Sequence, residues 1–346
     1  MMMKFQNERI SKVSIAVIVL GTLLCGFVYG REIPIEEKVK NAISYPGVSY
    51  YGREIIIFWS SKGMSQSSEA EVYFKSPNSV RIEYKAPSNL SQQIVINDGK
   101  SEYLYDTKRN IAIREVSFYN YASDIDNKFS LLKKNYDFIL SGTEKIVGRP
   151  ANVITIKPKN KENASKKIWV DKEYNIILQE KIFQPDGNLL CDSHFTNIDF
   201  PKKLSDELFS LPKNTKIVVR DFKVTTFSDI KDLQGKLKFM FLFPSYVPRG
   251  YVFDKANLIQ EKNSEFVQIQ YSDGLNILSL FETLAKVDSK NYKLFEEVVN
   301  LDKNKQIRLF HLTPGKVLHR KYKGINITLI GNMSKKALVE TISSIK

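Results

Sequence analysis

From residue 50 onward, apolar and polar positions alternate with a period of two, the pattern of strands that bury one face. Ala70, Val72 and Phe74 alternate with Glu69, Glu71 and Lys75, and Val80, Ile82 and Tyr84 alternate with Arg81, Glu83 and Lys85. Ser76-Pro77-Asn78-Ser79 turns the chain between the two runs. Residues 94–96 meet 103–105 across Asn97-Asp98-Gly99-Lys100, where Asp-Gly supplies the positive φ that tight hairpins need. A further hairpin through 106–110 leads into 111–113. These elements predict an antiparallel meander.

Helical spacing precedes it once and interrupts it once. Pro34 followed by Ile35, Val39, Ala42 and Ile43 predicts a short helix ending at Pro46-Gly47. Ile125, Phe129 and Leu132 predict a second, with Ser123 or Asp124 able to cap it. Strands resume at 145–147, 151–157, 168–170, 176–183 and 189–198, the last two joined by a turn at Gln184-Pro185-Asp186-Gly187-Asn188. The order is sheet, helix, sheet, with hairpin connections and no βαβ spacing. A sheet that large tends to curl, and a helix on its apolar face would plug it.

Residues 199–215 leave this sheet, and 213–236 are rich in Lys and Asp. The pattern therefore divides the chain into a first domain at 31–215, a linker at 216–235 and a smaller α+β domain at 236–346. In the second domain, 239–243 is an apolar run stopped by Pro244, and Pro248-Arg249-Gly250-Tyr251 is a turn. Residues 267–271 and 275–281 flank another Asp-Gly hairpin, Ser272-Asp273-Gly274. Strands at 307–312, 316–322 and 325–330 lead to a closing helix capped by Ser334, with Leu338, Ile342 and Ile345 on its apolar face.

The first thirty residues have the pattern of an export signal. Lys4, Arg9 and Lys12 precede an apolar run from 13 to 28, and Val28 and Gly30 suit cleavage before Arg31. The run is shorter than the ~20 residues of a spanning helix. Retention as an anchor and lipidation at Cys25 are the alternatives, although Leu24 stands where a lipidation signal wants a small residue. The formal charge of +14 becomes +12 once Lys4, Arg9, Lys12 and Glu8 are removed with the leader. Such a surplus favours an anionic neighbour, a membrane surface or an acidic partner, and peripheral membrane association is compatible with it. Nucleic acid does not fit an exported chain without a long Lys/Arg run.

Catalytic signatures are missing from the sequence: no G-x-S-x-G, P-loop, G-x-G-x-x-G, H-E-x-x-H or C-x-x-C occurs. His194, His311, His319 and Cys191 lack metal-ligand spacing. The expectation is a non-enzymatic protein without cofactor or metal. What stands out is an apolar and aromatic load: Phe58, Trp59, Phe74, Ile94, Ile96, Phe118, Tyr119, Trp169, Phe183 and Phe195. These are candidates for lining a cavity that a lipid chain could fill, with an ordinary hydrophobic core as the other reading.

Several segments together resemble a known family. Ile168-Trp169-Val170-Asp171, Leu178, Gly187 and Phe195-Thr196-Asn197-Ile198 resemble the late strands of the N-terminal domain of the RseB/MucB regulators. Pro248-Arg249-Gly250-Tyr251, Tyr271-Ser272-Asp273-Gly274-Leu275 and Leu278-Ser279-Leu280-Phe281 resemble their C-terminal domain. The resemblance implies an α+β chain: a LolA-like half-open antiparallel β-barrel plugged by helices, then a smaller α+β domain. It implies a periplasmic protein that holds and protects the periplasmic domain of an anti-sigma factor. Release would follow a lipid or lipopolysaccharide acyl-chain signal. Tyr251, Tyr271, Asp273 and Phe281 are then candidates for partner binding in the second domain. The alternative is a LolA-like lipid or lipoprotein carrier, against which the extra ~110-residue domain counts, since that is a full domain's length.

Overall fold

The computed structural model describes residues 33–44, 46–59, 65–115, 125–219, 222–237, 239–261, 264–284, 296–302, 305–312 and 315–346. The leader, Phe118, Tyr119 and the two expected capping residues Ser123 and Asp124 lie outside the described residues. No helix among the described residues is long and apolar enough to cross a membrane.

Two sheets carry the fold. The first contains β1 (Tyr50–Trp59), β2 (Ser65–Lys75), β3 (Ser79–Ala86), β4 (Gln93–Asn97), β5 (Glu102–Asp106), β6 (Ile111–Glu115), β7 (Tyr136–Ile146), β8 (Arg149–Pro158), β9 (Ser165–Asp171), β10 (Ile177–Phe183), β11 (Leu189–Asp199) and β12 (Lys216–Val219). Their spatial order is β12-β6-β5-β4-β3-β2-β1-β11-β10-β9-β8-β7. Neighbours run antiparallel except β12, which lies parallel to β6. The end strands β12 and β7 do not pair, so the sheet is a half-open barrel rather than a closed one.

Alternation decides what is inside. In β1, Tyr50, Gly52, Glu54, Ile56 and Phe58 are all buried, and Tyr50, Ile56 and Phe58 pack with Val72, Phe74, Ile82 and Phe195 in one apolar cluster. The plug consists of α1 (Ile35–Ala42) and α2 (Ile125–Asn135). Val39, Ala42, Phe129 and Leu132 from these helices pack on Tyr136, Ile154, Ile156, Ile168 and Val170 of the sheet. Burying Leu132 and Ile168 completely is worth ~2 kcal/mol per side chain before cavity effects.

The second sheet contains β13 (Phe222–Phe227), β14 (Val252–Glu261), β15 (Ser264–Ser272), β16 (Ile277–Thr283), β17 (Glu296–Asp302), β18 (Lys305–Leu312), β19 (Gly315–Tyr322) and β20 (Ile325–Gly331). They are ordered β13-β14-β15-β16-β20-β19-β18-β17. The closing helix α3 (Lys335–Ser343) starts as expected, with Ser334 Oγ accepting the Ala337 N–H at 3.1 Å. Ala337, Leu338 and Ile342 cover Leu278, Leu280 and Leu329 of the sheet.

The structure departs from the sequence pattern at several places. β7 follows α2 without a loop, and its residues are mostly exposed, so a buried alternating face never marked it. β14 and β17 were likewise outside the expected strands. The expected linker is divided between the sheets: β12 joins the first and β13 the second, while Leu233 is fully buried in the second core. The apolar run 239–243 is not a strand. Phe241 and Leu242 instead fill the second core, and Pro244 makes only an isolated bridge to Ile345.

Candidate functional site: the junction of the two sheets and the interior of the first

The hairpin joining β15 to β16 reaches into the first sheet. Gly274, at φ +94°, sits so close to α2 that an added Cβ would lie 2.4 Å from the Leu132 backbone nitrogen. Only glycine serves there, both for the backbone conformation and for the space. Gly250, at φ +95°, abuts Asn135 at the end of α2 in the same way. The Asn135 amide donates to the carbonyls of both Gly250 and Asp273, each at 2.9 Å. Leu275, one residue on, packs against the apolar cluster under α1 and α2.

Asp273 is the centre of this junction and is fully buried. Its Oδ1 accepts the N–H groups of Leu275 (2.9 Å) and Asn276 (2.6 Å), which closes the turn. Its Oδ2 accepts from the Tyr136 hydroxyl (2.5 Å) and the Asn163 amide (3.0 Å), both on the first sheet's side. Asn276 Nδ2 donates to the Tyr136 oxygen at 2.9 Å. Burial pushes the Asp273 carboxyl up from its ordinary range, while these donors pull it down. The Tyr136 phenol is raised by burial and by the Asp273 carboxylate. Around this centre, Asn160 Nδ2 donates to the Arg249 carbonyl (3.2 Å) and Lys316 Nζ to Gln184 Oε1 (2.6 Å). Ser334 Oγ donates to the Glu162 carboxylate. A buried polar network with nearly every member satisfied fixes one arrangement of its two sides.

The interior of the first sheet has a polar island. Glu54 on β1 accepts from the Ser193 hydroxyl of β11, and Glu180, cross-strand from Ser193, accepts from Lys166 Nζ at 2.9 Å. Glu54 and Glu180 are 3% and 1% exposed, and one oxygen of each has no hydrogen-bond partner among the described residues. Burial, opposed by the Ser193 hydrogen bond, moves the Glu54 carboxyl up to about 7. Glu282 in the second sheet moves to about 7 for the same reason, with the Leu242 N–H opposing at 2.9 Å.

The expected lipid-cavity residues separate into groups. Phe58, Phe74, Trp169 and Phe195 share one buried cluster; Ile94 and Ile96 belong to a smaller one with Tyr105 and Ala112. Trp59 and Phe183 are half-buried. The Trp169 indole donates to Glu144 at 2.8 Å and is covered by the ammonium groups of Lys167 and Lys181 at 4.7 and 5.8 Å. A cleft of about 440 Å³ beside β12 is lined instead by Lys75, Tyr103, Asp206, Phe209, Leu211 and Ile217, among others. In the second sheet, Tyr251, Tyr271 and Asp273 are buried and Phe281 is half-buried, so none of the four stands out on an open surface. Sequence reasoning missed Tyr136, Asn163, Glu54 and Glu180. Glu54 and Glu180 carried a signal, a carboxylate at an inward position of the β1 and β10 alternations.

The fold and junction define a class: a two-sheet chain in which a helix-plugged, half-open antiparallel barrel is locked against a second α+β unit. Residues 89–212 match the MucB/RseB N-terminal domain family. Over these residues the chain is similar to RseB/MucB-type proteins. It is 25% identical over 158 residues to the sigma-E factor regulatory protein RseB of Haemophilus influenzae, covering 44% of this chain and 46% of that one. An uncharacterized protein of Methanocaldococcus jannaschii is 22% identical over 321 residues, 87% of this chain and 88% of that one. Among solved structures, MucB in the Pseudomonas aeruginosa MucA/MucB complex is similar with a TM-score of 0.54 at 14% identity, covering 90% of this chain and 95% of that one. MucB in complex with MucA(peri) is similar with a TM-score of 0.53 at 14% identity, covering 86% and 93%.

Proposed function

We propose that this chain is a non-enzymatic, periplasmic binding protein that holds the periplasmic part of a membrane-bound anti-sigma factor and releases it in response to a lipid or lipopolysaccharide signal. The match to RseB, a sigma-E factor regulatory protein, supports the regulatory part of this reading. The fold shared with MucB, which has been solved in complex with MucA(peri), supports a protein partner of that kind. The observation that carries the mechanism is the junction at Asp273. Release on a signal needs an element with two arrangements that both ligands bias. A buried polar lock between the sheets is such an element: closed, Tyr136, Asn163 and the Leu275 and Asn276 N–H groups are paired with Asp273, and opened, water replaces those bonds.

In this reading Phe58, Phe74, Phe195 and the other apolar residues of the first sheet meet the acyl chain. Tyr251, Tyr271, Asp273 and Phe281 act on partner binding by positioning the second sheet. The two units meet in sequence between residues 219 and 222.

The test is a titration of the full chain with a peptide from the anti-sigma factor's periplasmic segment, with and without a long-chain acyl lipid. Lipid should weaken the peptide ~5–150-fold, and the peptide should weaken lipid by the same factor, as linkage requires. Equal peptide affinity in both conditions would remove the lipid switch, and no peptide binding would remove the partner.

A further inference from the structure

Basic side chains converge on the outside of the junction from both sheets. Lys133 and Lys134 end α2, and both are exposed. Lys159, in the β8–β9 connection, lays its ammonium on their carbonyls at 2.8 and 3.3 Å, which fixes this loop over the helix end. Lys161 follows in the same loop and is exposed. From the second unit, Arg249 arrives beside Asn160, whose amide donates to the Arg249 carbonyl. Lys335 and Lys336 arrive next to Glu162, which takes the Ser334 hydroxyl. Asp137, 3.6 Å from Lys159, and Glu162 are the acids the contacts place among them.

The placement of Lys335 and Lys336 works against the fold. They occupy the first turn of α3, which contains no acidic residue, and the positive end of a helix disfavours cations. The Glu162 carboxylate on Ser334 offsets part of that cost, and the two exposed ammonium groups add to the positive charge of this surface.

We infer that this basic surface across the junction docks the protein on an anionic lipid membrane. The choice of membrane over acidic protein follows from the chemistry of the charges. Six of the seven cations named above are lysines, compact and strongly hydrated charges on flexible stems. Protein interfaces enrich Arg and deplete Lys, because a planar fork pairs carboxylates specifically. The diffuse field of anionic headgroups needs no such fork and attracts each lysine separately. The patch draws on both units, so a membrane surface would meet residues of each. This inference goes beyond the proposed partner and does not depend on it.

The experiment is co-sedimentation of the mature chain with vesicles of phosphatidylcholine alone or mixed with phosphatidylglycerol. Binding is expected only to the anionic vesicles, falling steeply as salt rises. The triple variant Lys161→Gln/Lys335→Gln/Lys336→Gln should lose affinity on the order of 100-fold, about fivefold per lysine. Lys100→Gln/Lys108→Gln/Lys203→Gln removes as many exposed lysines elsewhere and should retain most of the binding. An unchanged unfolding midpoint shows that the variants remain folded; should the first triple fail it, the wild-type salt dependence and lipid selectivity decide. The inference is overturned by equal losses in both triples, by no anionic selectivity, or by a first triple that loses an acidic peptide but still binds vesicles.

Discussion

Two Asp-Gly hairpins in this chain are built alike and used differently. In the β4–β5 turn, Asp98 Oδ1 accepts the N–H groups of Lys100 (2.8 Å) and Ser101 (2.7 Å), and Asn97 Oδ1 accepts that of Gly99 (2.8 Å). In the β15–β16 turn, Asp273 Oδ1 accepts from Leu275 and Asn276, and Ser272 Oγ accepts from Gly274 at 3.0 Å. Both glycines have positive φ, +86° and +94°. The difference lies in the second carboxylate oxygen. That of Asp273 is buried and taken by Tyr136 and Asn163 across the junction, whereas Asp98 is exposed. The local turn chemistry is therefore the same, and what turns one hairpin into a lock is where its tip lands.

The largest expected separation comes from removing each aspartate. Asp273→Ala leaves Tyr136, Asn163 and two turn N–H groups without their acceptor in a buried site, so a loss of about 4 kcal/mol is expected in urea unfolding. Asp98→Ala should cost under about 1 kcal/mol, since water replaces its bonds. Similar losses would break the comparison. The glycines sharpen it sterically. Gly274→Ala drives a Cβ into the α2 backbone and should cost about 3 kcal/mol or more, while at Gly99 the obstacle is the Asn78 side chain, which can move, and about 1 kcal/mol is expected.

Protonation offers a third handle. The Glu54 and Glu282 carboxyls sit at about 7 against an ordinary 4.5, so between these values the folded state holds protons that the unfolded chain has released. Stability should fall as pH rises through that window, by about 3 kcal/mol for a shift of this size at each site. Glu54→Gln should flatten its share of the slope in thermal melts across pH 4.5–7, and an unchanged slope would mean that Glu54 is not a buried acid. Within the lock the smallest effect is at Tyr136→Phe, which removes one hydroxyl and should cost about 1–2 kcal/mol with the fold retained, as read by urea midpoint.

Much of the architecture was legible in the chain itself. Alternation located β2, β3 and β9–β11, and the registers Ile94↔Tyr105 and Ile96↔Tyr103 follow from the Asp-Gly turn between them. β7 and β14 were not legible, because strands without a clean buried alternation look like polar loops. The lock was half legible. Pro248-Arg249-Gly250-Tyr251 and Ser272-Asp273-Gly274-Leu275 stood out as motifs, but the sequence could not show that their glycines meet α2 or that Asp273 meets Tyr136, 137 positions away. Glu54 and Glu180 became neighbours only through the pairing of β1, β11 and β10.

Calorimetry of the full chain tests the lock most directly. With Asp273 in place, the two sheets should unfold in one cooperative transition, and Asp98→Ala should leave that transition single. Asp273→Ala should divide it into two, each belonging to one sheet. Two separate transitions already present in the wild-type chain, or a single transition kept by Asp273→Ala, would contradict the account.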